Sequence, residues 1–196
     1  GPVFLQGDHY QFSASKYPKN PSAETNAIRE LISESLTARF LNIDIDASTL
    51  VDMTKPTLQE QQRLNATLSA DMCAFIRKHQ PNGVTVSVGG EIGEVGTHVT
   101  SLEEFTAYQD LYREELKKLN VSPGPMKISI NTGTSHGGKV DSAGKVQAMA
   151  VRFDLIESTG KAAREQYGMA GVVQHGASTL PESEFDKFPS AGACEI

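Results

Sequence analysis

Seven residues of this chain carry imidazole or carboxylate groups within or directly after short β-branched runs: Asp8 and His9, Asp44 and Asp46, Glu91, His136 and His175. In parallel α/β architectures, binding groups gather at the C-terminal ends of the strands, where successive loops converge on one rim. Three imidazoles delivered to such a rim (His9, His136 and His175) make an open zinc set that leaves a position for water or substrate. Carboxylates such as Asp46 and Glu91 can take a second cation or an alternate position of the first. A single histidine of this kind is more simply a core or loop residue. The pointer to a metal is the same structural position recurring on successive units. His79 and His98, the other two of five histidines, do not occupy it. Asp44 and Asp46 alternate on one strand and so point the same way, and one of them is also placed to cap the next helix.

Small residues follow two of these histidines: Gly137-Gly138 after His136, and Gly176-Ala177-Ser178 after His175. Glycines at a strand end let backbone N–H groups approach an anion, whose charge the next helix N-terminus favours, although a tight βα turn also calls for glycine. Residues 133–139 fit the string G-x-x-x-x-G-K, but Val140 stands where a phosphate-binding loop needs Ser or Thr for magnesium. "GGEIGEVG" at 89–96 is not G-x-G-x-x-G. Nucleotide hydrolysis and dinucleotide binding are both set aside.

The elements that must position these groups are legible as a rhythm. Apolar, β-branched runs occur at 3–6, 41–45, 84–88, 127–130 and 171–173. Helical periodicity occupies about 23–39, 58–78, 102–119, 145–167 and 182–188. In the second of these, Leu58, Leu64, Leu68, Phe75 and Ile76 share an apolar stripe. Ser101-Leu102-Glu103-Glu104 reads as a helix start with a capping box. Strands alternating with helices predict repeated βα units and a parallel sheet. The closing "AGACEI" reads as a further strand beginning. Five units and a stub suit either an open doubly wound sheet or part of an eight-unit barrel.

The bulk numbers are compatible with one domain over 1–196, since 196 residues with 38% hydrophobic content can bury a real core. A net charge of −6 and a pI near 5.4 argue against a nucleic-acid surface. No apolar run is long enough to span a bilayer and no cleavable signal pattern is visible, so a cytoplasmic protein without membrane contact is expected. Cys73 and Cys194 are too few for a disulfide framework. The sequons at Asn65 and Asn120 are read as chance.

Taken together, the segments "VFLQGDHYQ", "NIDIDAS", "GGEIGEVG", "INTGTSHGG" and "VVQHGAS" resemble the class II, zinc-dependent fructose- and tagatose-bisphosphate aldolase family. They are similar to its H-x-D-H strand end, its I-D-x-S segment, its E-x-E-L-G-x-x-G, and the segments ending in its second and third zinc histidines. The resemblance runs in order along nearly the whole chain. It implies an α/β fold, a TIM (β/α)8 barrel of which this chain covers about strands 3 to 7 and the start of strand 8. The N-terminal βα units and the C-terminal end would lie outside the chain. It further implies a zinc-dependent lyase of carbohydrate metabolism and glycolysis that cleaves or forms a carbon–carbon bond in a ketose bisphosphate. Dihydroxyacetone phosphate and an aldehyde would be its products, and a homo-oligomer its assembly. On this likeness His9, His136 and His175 hold Zn2+, with Asp46 and Glu91 at an alternate or second metal position. Asp8 is the acid/base at the aldol hydroxyl. Gly137, Gly176, Ala177 and Ser178 contact the substrate phosphate.

Three departures from the family pattern stand out. Gln6 replaces the first His of H-x-D-H and Gly89 the first Glu of E-x-E. Thr97-His98-Val99 replaces an acidic pair, leaving Glu103 or Glu104 as candidates to abstract a proton. They leave two alternatives beside the leading reading: a non-catalytic companion subunit that keeps the barrel, or a divergent aldolase for another sugar phosphate. A lysine Schiff-base aldolase is disfavoured, since Lys127 enters its strand at the wrong end.

Overall fold

The computed structural model describes residues 3–93, 98–134, 150–177 and 180–196. Six strands form one parallel sheet: β1 (Gln6–Gln11), β2 (Asn42–Asp46), β3 (Ser87–Glu91), β4 (Lys127–Ser129), β5 (Gly171–Val173) and β6 (Ala193–Glu195). Their spatial order is their chain order, with no reversal. A doubly wound sheet reverses its order at a switch point. This one does not. The connections carry α1 (Pro21–Thr37), α2 (Leu58–His79), α3 (Leu102–Leu119) and α4 (Phe153–Tyr167), with α5 (Lys187–Ala191) before β6. No helix among the described residues is long and apolar enough to cross a membrane.

Local signals explain the helix starts. Asn20 caps α1 through Ala23 N–H, ahead of Pro21 at the first helical position. Thr57 caps α2: its Oγ1 accepts from Glu60 N–H and donates to the Glu60 carboxylate. The box expected on α3 is half present. Ser101 Oγ accepts from Glu104 N–H, but the Glu104 carboxylate turns away to Gln62 and His98.

The sheet buries both faces, as parallel sheets do. Ile43, Ile45, Val88 and Ile128 face the helices and join Ile32, Met72, Ile76, Phe105, Tyr108 and Tyr112 in one apolar core. The alternate positions, Asp44 and Asp46, Gly89 and Glu91, Lys127 and Ser129, line the other face. That face is concave. Gln6 Nε2 on β1 donates to Glu195 Oε1 on β6 at 2.6 Å. Five strand spacings of about 4.8 Å would hold these edges roughly 24 Å apart in a flat sheet. Only a strongly curled one lets their side chains touch.

Several boundaries differ from the sequence reading. β1 runs through Asp8 and His9 instead of ending before them, and β3 lies three residues later than expected, taking in Gly89 and Gly90. α4 begins at Phe153; the part of its expected span at 145–149 lies outside the described residues. The helix expected at 182–188 divides into a 3-10 turn, Glu182–Glu184, and α5.

Candidate metal centre

β1 supplies two of the candidate groups by breaking its own alternation. Gly7 pairs with Ile43 but Tyr10 with Ile45, so one extra residue is accommodated at Asp8–His9. His9 takes up a φ of 52° there, a left-handed conformation costing on the order of 1–3 kcal/mol for a residue with a side chain. The bulge resets the facing of the next residues along the strand. Tyr10 turns outward and donates to Ser35 Oγ on α1 at 2.6 Å. His9 and Gln11 turn inward, and both reach the Asp46 carboxylate. Bulges beside functional sites re-aim side chains in this way.

Inside, His9 Nδ1 lies 3.1 Å from Asp46 Oδ2 and 2.9 Å from Glu91 Oε2. His175, just beyond β5, places Nδ1 3.8 Å from the same Glu91 oxygen and 3.2 Å from Ser129 Oγ. Asp8 reaches across the mouth, 3.9 Å from His9 Nε2 and 3.6 Å from His175 Nε2. The two imidazole rings are 4.6 Å apart. Two overlapping trios result, Asp8–His9–His175 and His9–Asp46–Glu91, each with one donor atom per residue mutually within 4.8 Å. Donors about 2.0–2.2 Å from one zinc ion stand roughly 3–3.5 Å from each other, so the set is close to the spacing a cation requires. The donor chemistry, imidazole with carboxylate, also suits zinc.

The field at this end is strongly negative. Hydrogen bonding to Asp46 and to Glu91 pushes His9 up to about 11, against the opposing effect of burial. Burial disfavours a charge on His175 too, yet Glu91 and Asp8 hold its pKa above the ordinary value. Asp46 is almost fully buried, which alone would raise its pKa; bonds from His9, Ser48 and Gln11 bring it below the usual carboxylate range. Asp46 does two jobs. Its Oδ1 accepts from Ser48 N–H and Oγ, capping the 3-10 turn Ser48–Leu50, while Oδ2 faces His9.

Of the residues picked out in the sequence, the structure therefore gathers Asp8, His9, Asp46, Glu91 and His175. Gly176 follows with φ +75°, a conformation glycine adopts freely, and Ala177 is buried beside it. His136, Gly137 and Ser178 lie outside the described residues. Asp44 belongs elsewhere. It forms a lower layer on the concave face with Lys127, Gln6 and Glu195. Lys127 Nζ is 2.9 Å from Asp44 Oδ2, 2.5 Å from Glu195 Oε2 and 2.8 Å from Gln6 Oε1. Burial pushes Asp44 up to about 6, and Lys127 holds it from rising further.

This layer accounts for two of the three departures. A Cβ at position 89 would collide with Asp44 Oδ1, and Gln6 Nε2 donates to Asp44 Oδ2 at 3.2 Å. Gln6 and Gly89 thus surround the same carboxylate, one layer beneath the imidazoles. As for the third, Glu104 is buried and engaged by Gln62 and His98, whereas Glu103 is exposed on the first turn of α3. Gln11 and Ser129, which hold Asp46 and His175, escaped the sequence reading. Their one signal is alternation, since Ser129 follows Lys127 on the same face.

The sequence matches the family model described as fructose-bisphosphate aldolase class-II over residues 2–196. Among curated proteins none matches. Solved structures similar in fold include the following two. One, from Sinorhizobium meliloti, is described as a probable tagatose 6 phosphate kinase; it is 14% identical with a TM-score of 0.69, covering 98% of this chain and 46% of that one. The other, a fructose-bisphosphate aldolase from Campylobacter jejuni, is 16% identical with a TM-score of 0.57, covering 99% of this chain and 49% of that one. The chain spans about half the length of either.

Proposed function

The chain belongs to the class II fructose-bisphosphate aldolase family, and from that membership we propose that it carries the metal-holding core of a zinc-dependent aldolase acting on a ketose bisphosphate. The observation that carries this reading is the convergence of His9, Asp46, Glu91 and His175 from four different strands, with Asp8 at their mouth. The sequential strand order and the contact between β1 and β6 support placing the sheet in a (β/α)8 barrel, with residues 1–196 as one part of that domain.

In this reading His9 and His175, together with His136, hold Zn2+, and Asp46 and Glu91 offer an alternate or second position. A divalent cation bound there supplies Lewis-acid polarisation of the substrate carbonyl. The protein's own groups do the rest. Asp46 and Glu91 fix the ring of His9 through Nδ1, and Ser129 steadies His175, as outer partners of metal-binding imidazoles do. Asp8, with nearly half its side chain exposed, takes the proton of the aldol hydroxyl during cleavage and returns it during condensation. Backbone N–H groups at Gly137 and from Gly176 through Ser178 bind the phosphate, so that binding energy away from the reacting carbons orients them. Dihydroxyacetone phosphate and an aldehyde are the products.

The two departures at Gln6 and Gly89 fall in the lower layer and leave the donor atoms in place. That removes much of the motive for a non-catalytic companion. The test is cleavage of fructose-1,6-bisphosphate and tagatose-1,6-bisphosphate in a coupled assay, before and after chelation. The expected result is loss of activity by about 10³-fold or more on chelation, several kcal/mol of barrier, with recovery on adding zinc. Activity insensitive to chelation would contradict the proposal.

A further inference from the structure

A cleft of about 350 Å³ opens at the opposite end of the sheet, beside Met126 before β4 and Met169 before β5. Its walls are the outer face of α3 (Gln109, Arg113, Lys117), the loop from Val121 to Met126, and Tyr167 at the end of α4. Three observations distinguish it from an ordinary surface groove. The first is charge: Arg113 and Lys117 are exposed and make no ion pair or hydrogen bond among the described residues, in a chain of net charge −6. The Arg113 guanidinium stacks over the Tyr167 ring at 4.6 Å, which orients it while leaving its N–H groups available. A lysine in the last turn of a helix is expected from the helix dipole alone. An arginine one turn earlier, held over a ring, is not.

The second is a buried amide. Gln109 is 1% exposed, and its Nε2 has no hydrogen-bond partner among the described residues. A buried amide left unpaired costs about 1–3 kcal/mol, and here it belongs to a residue of the cleft wall. The third is rigidity. Arg77, from α2, binds the loop from behind: Nε donates to Pro123 O at 2.9 Å and Nη2 to Gly124 O at 3.4 Å, while Nη1 anchors it to Val86 O, ahead of β3, at 2.7 Å. A wall fixed in this way does not have to be ordered by the ligand.

We propose that this cleft binds the oxyanion of a small metabolite, a phosphate or carboxylate. Arg113 and Lys117 pair with its charge, Gln109, whose Nε2 is covered in the free protein, turns its amide to bond one oxygen, and Leu116, Met126 and Met169 receive the carbon skeleton. The site is separate from the metal centre, at the N-terminal instead of the C-terminal ends of the strands, and does not rest on the aldolase reading.

The methionines allow a local test. Protein carrying 13C-labelled methionine methyls is titrated with inorganic phosphate and, separately, with succinate, and the two arms distinguish phosphate from carboxylate. Saturable shifts of the Met126 and Met169 methyls are expected with one or both, while buried Met72 stays still. Arg113→Gln combined with Lys117→Gln, both exposed changes, should weaken binding at least tenfold. Gln109→Met, close in shape, should weaken it severalfold. Absence of saturable shifts with both probes overturns the proposal, as does unchanged affinity in the double variant.

Discussion

Two layers of polar side chains sit on the same concave face and share strands β1 and β2, yet they handle charge differently. In the lower layer one ammonium, Lys127, meets two carboxylates, Asp44 and Glu195, and Gln6 hydrogen-bonds to all three. In the upper layer three carboxylates surround two imidazoles, and among the described residues no lysine or arginine pairs with them; protons favoured on His9 and His175 offset part of that charge. Three carboxylates and two imidazoles gathered at this spacing favour a metal cation, provided the imidazoles give up their protons. The lower layer pairs its carboxylates with a cation the chain supplies, although Asp44 Oδ1 has no hydrogen-bond partner among the described residues. The upper one has carboxylates that no lysine or arginine among the described residues pairs with.

The comparison can be broken at either layer. The largest effect is expected at the mouth of the upper one. Asp8→Asn should lower kcat by about 10²–10⁴-fold while leaving the melting temperature within a degree or two of the parent; a large loss of stability would mean that Asp8 belongs with the structural layer. Next comes Lys127→Ala, which leaves the buried Asp44 and the partly exposed Glu195 facing each other and should destabilise the fold by up to about 3–5 kcal/mol, measured by urea denaturation. Metal affinity measured on the fraction that remains folded should hold. Smaller again is Gly89→Ala. Its Cβ meets Asp44, and such overpacking costs roughly 1–3 kcal/mol. Because Gly89 touches only the lower layer, zinc stoichiometry should not change. Zinc lost with Gly89→Ala would show that the two layers are one unit.

The alternation of strands and helices made the parallel sheet legible, because each unit writes its own period into the chain. The site was legible for the same reason: Asp46, Glu91 and His175 lie where strands end, whatever the details of packing. Two things were not. The bulge at Asp8–His9 inverts the facing of the residues after it, so that Tyr10 packs on α1 and Gln11 supports Asp46; "GDHYQ" carries no mark of this, because the inversion comes from pairing with β2. The lower layer joins Gln6 to Glu195 across 189 positions, and only the curl of the sheet brings them together. Lys127 stands at the wrong end of its strand for Schiff-base chemistry and at the right end to close that layer. The departures at Gln6 and Gly89 look independent in sequence and meet at one carboxylate, Asp44.

The most direct test of the central claim is anomalous scattering at the zinc absorption edge from crystals of the protein grown with zinc. A single strong peak about 2.0–2.2 Å from ring nitrogens of His9 and His175, within reach of Asp46 or Glu91, is the predicted result. A zinc-saturated crystal with no peak between those two imidazoles would contradict it.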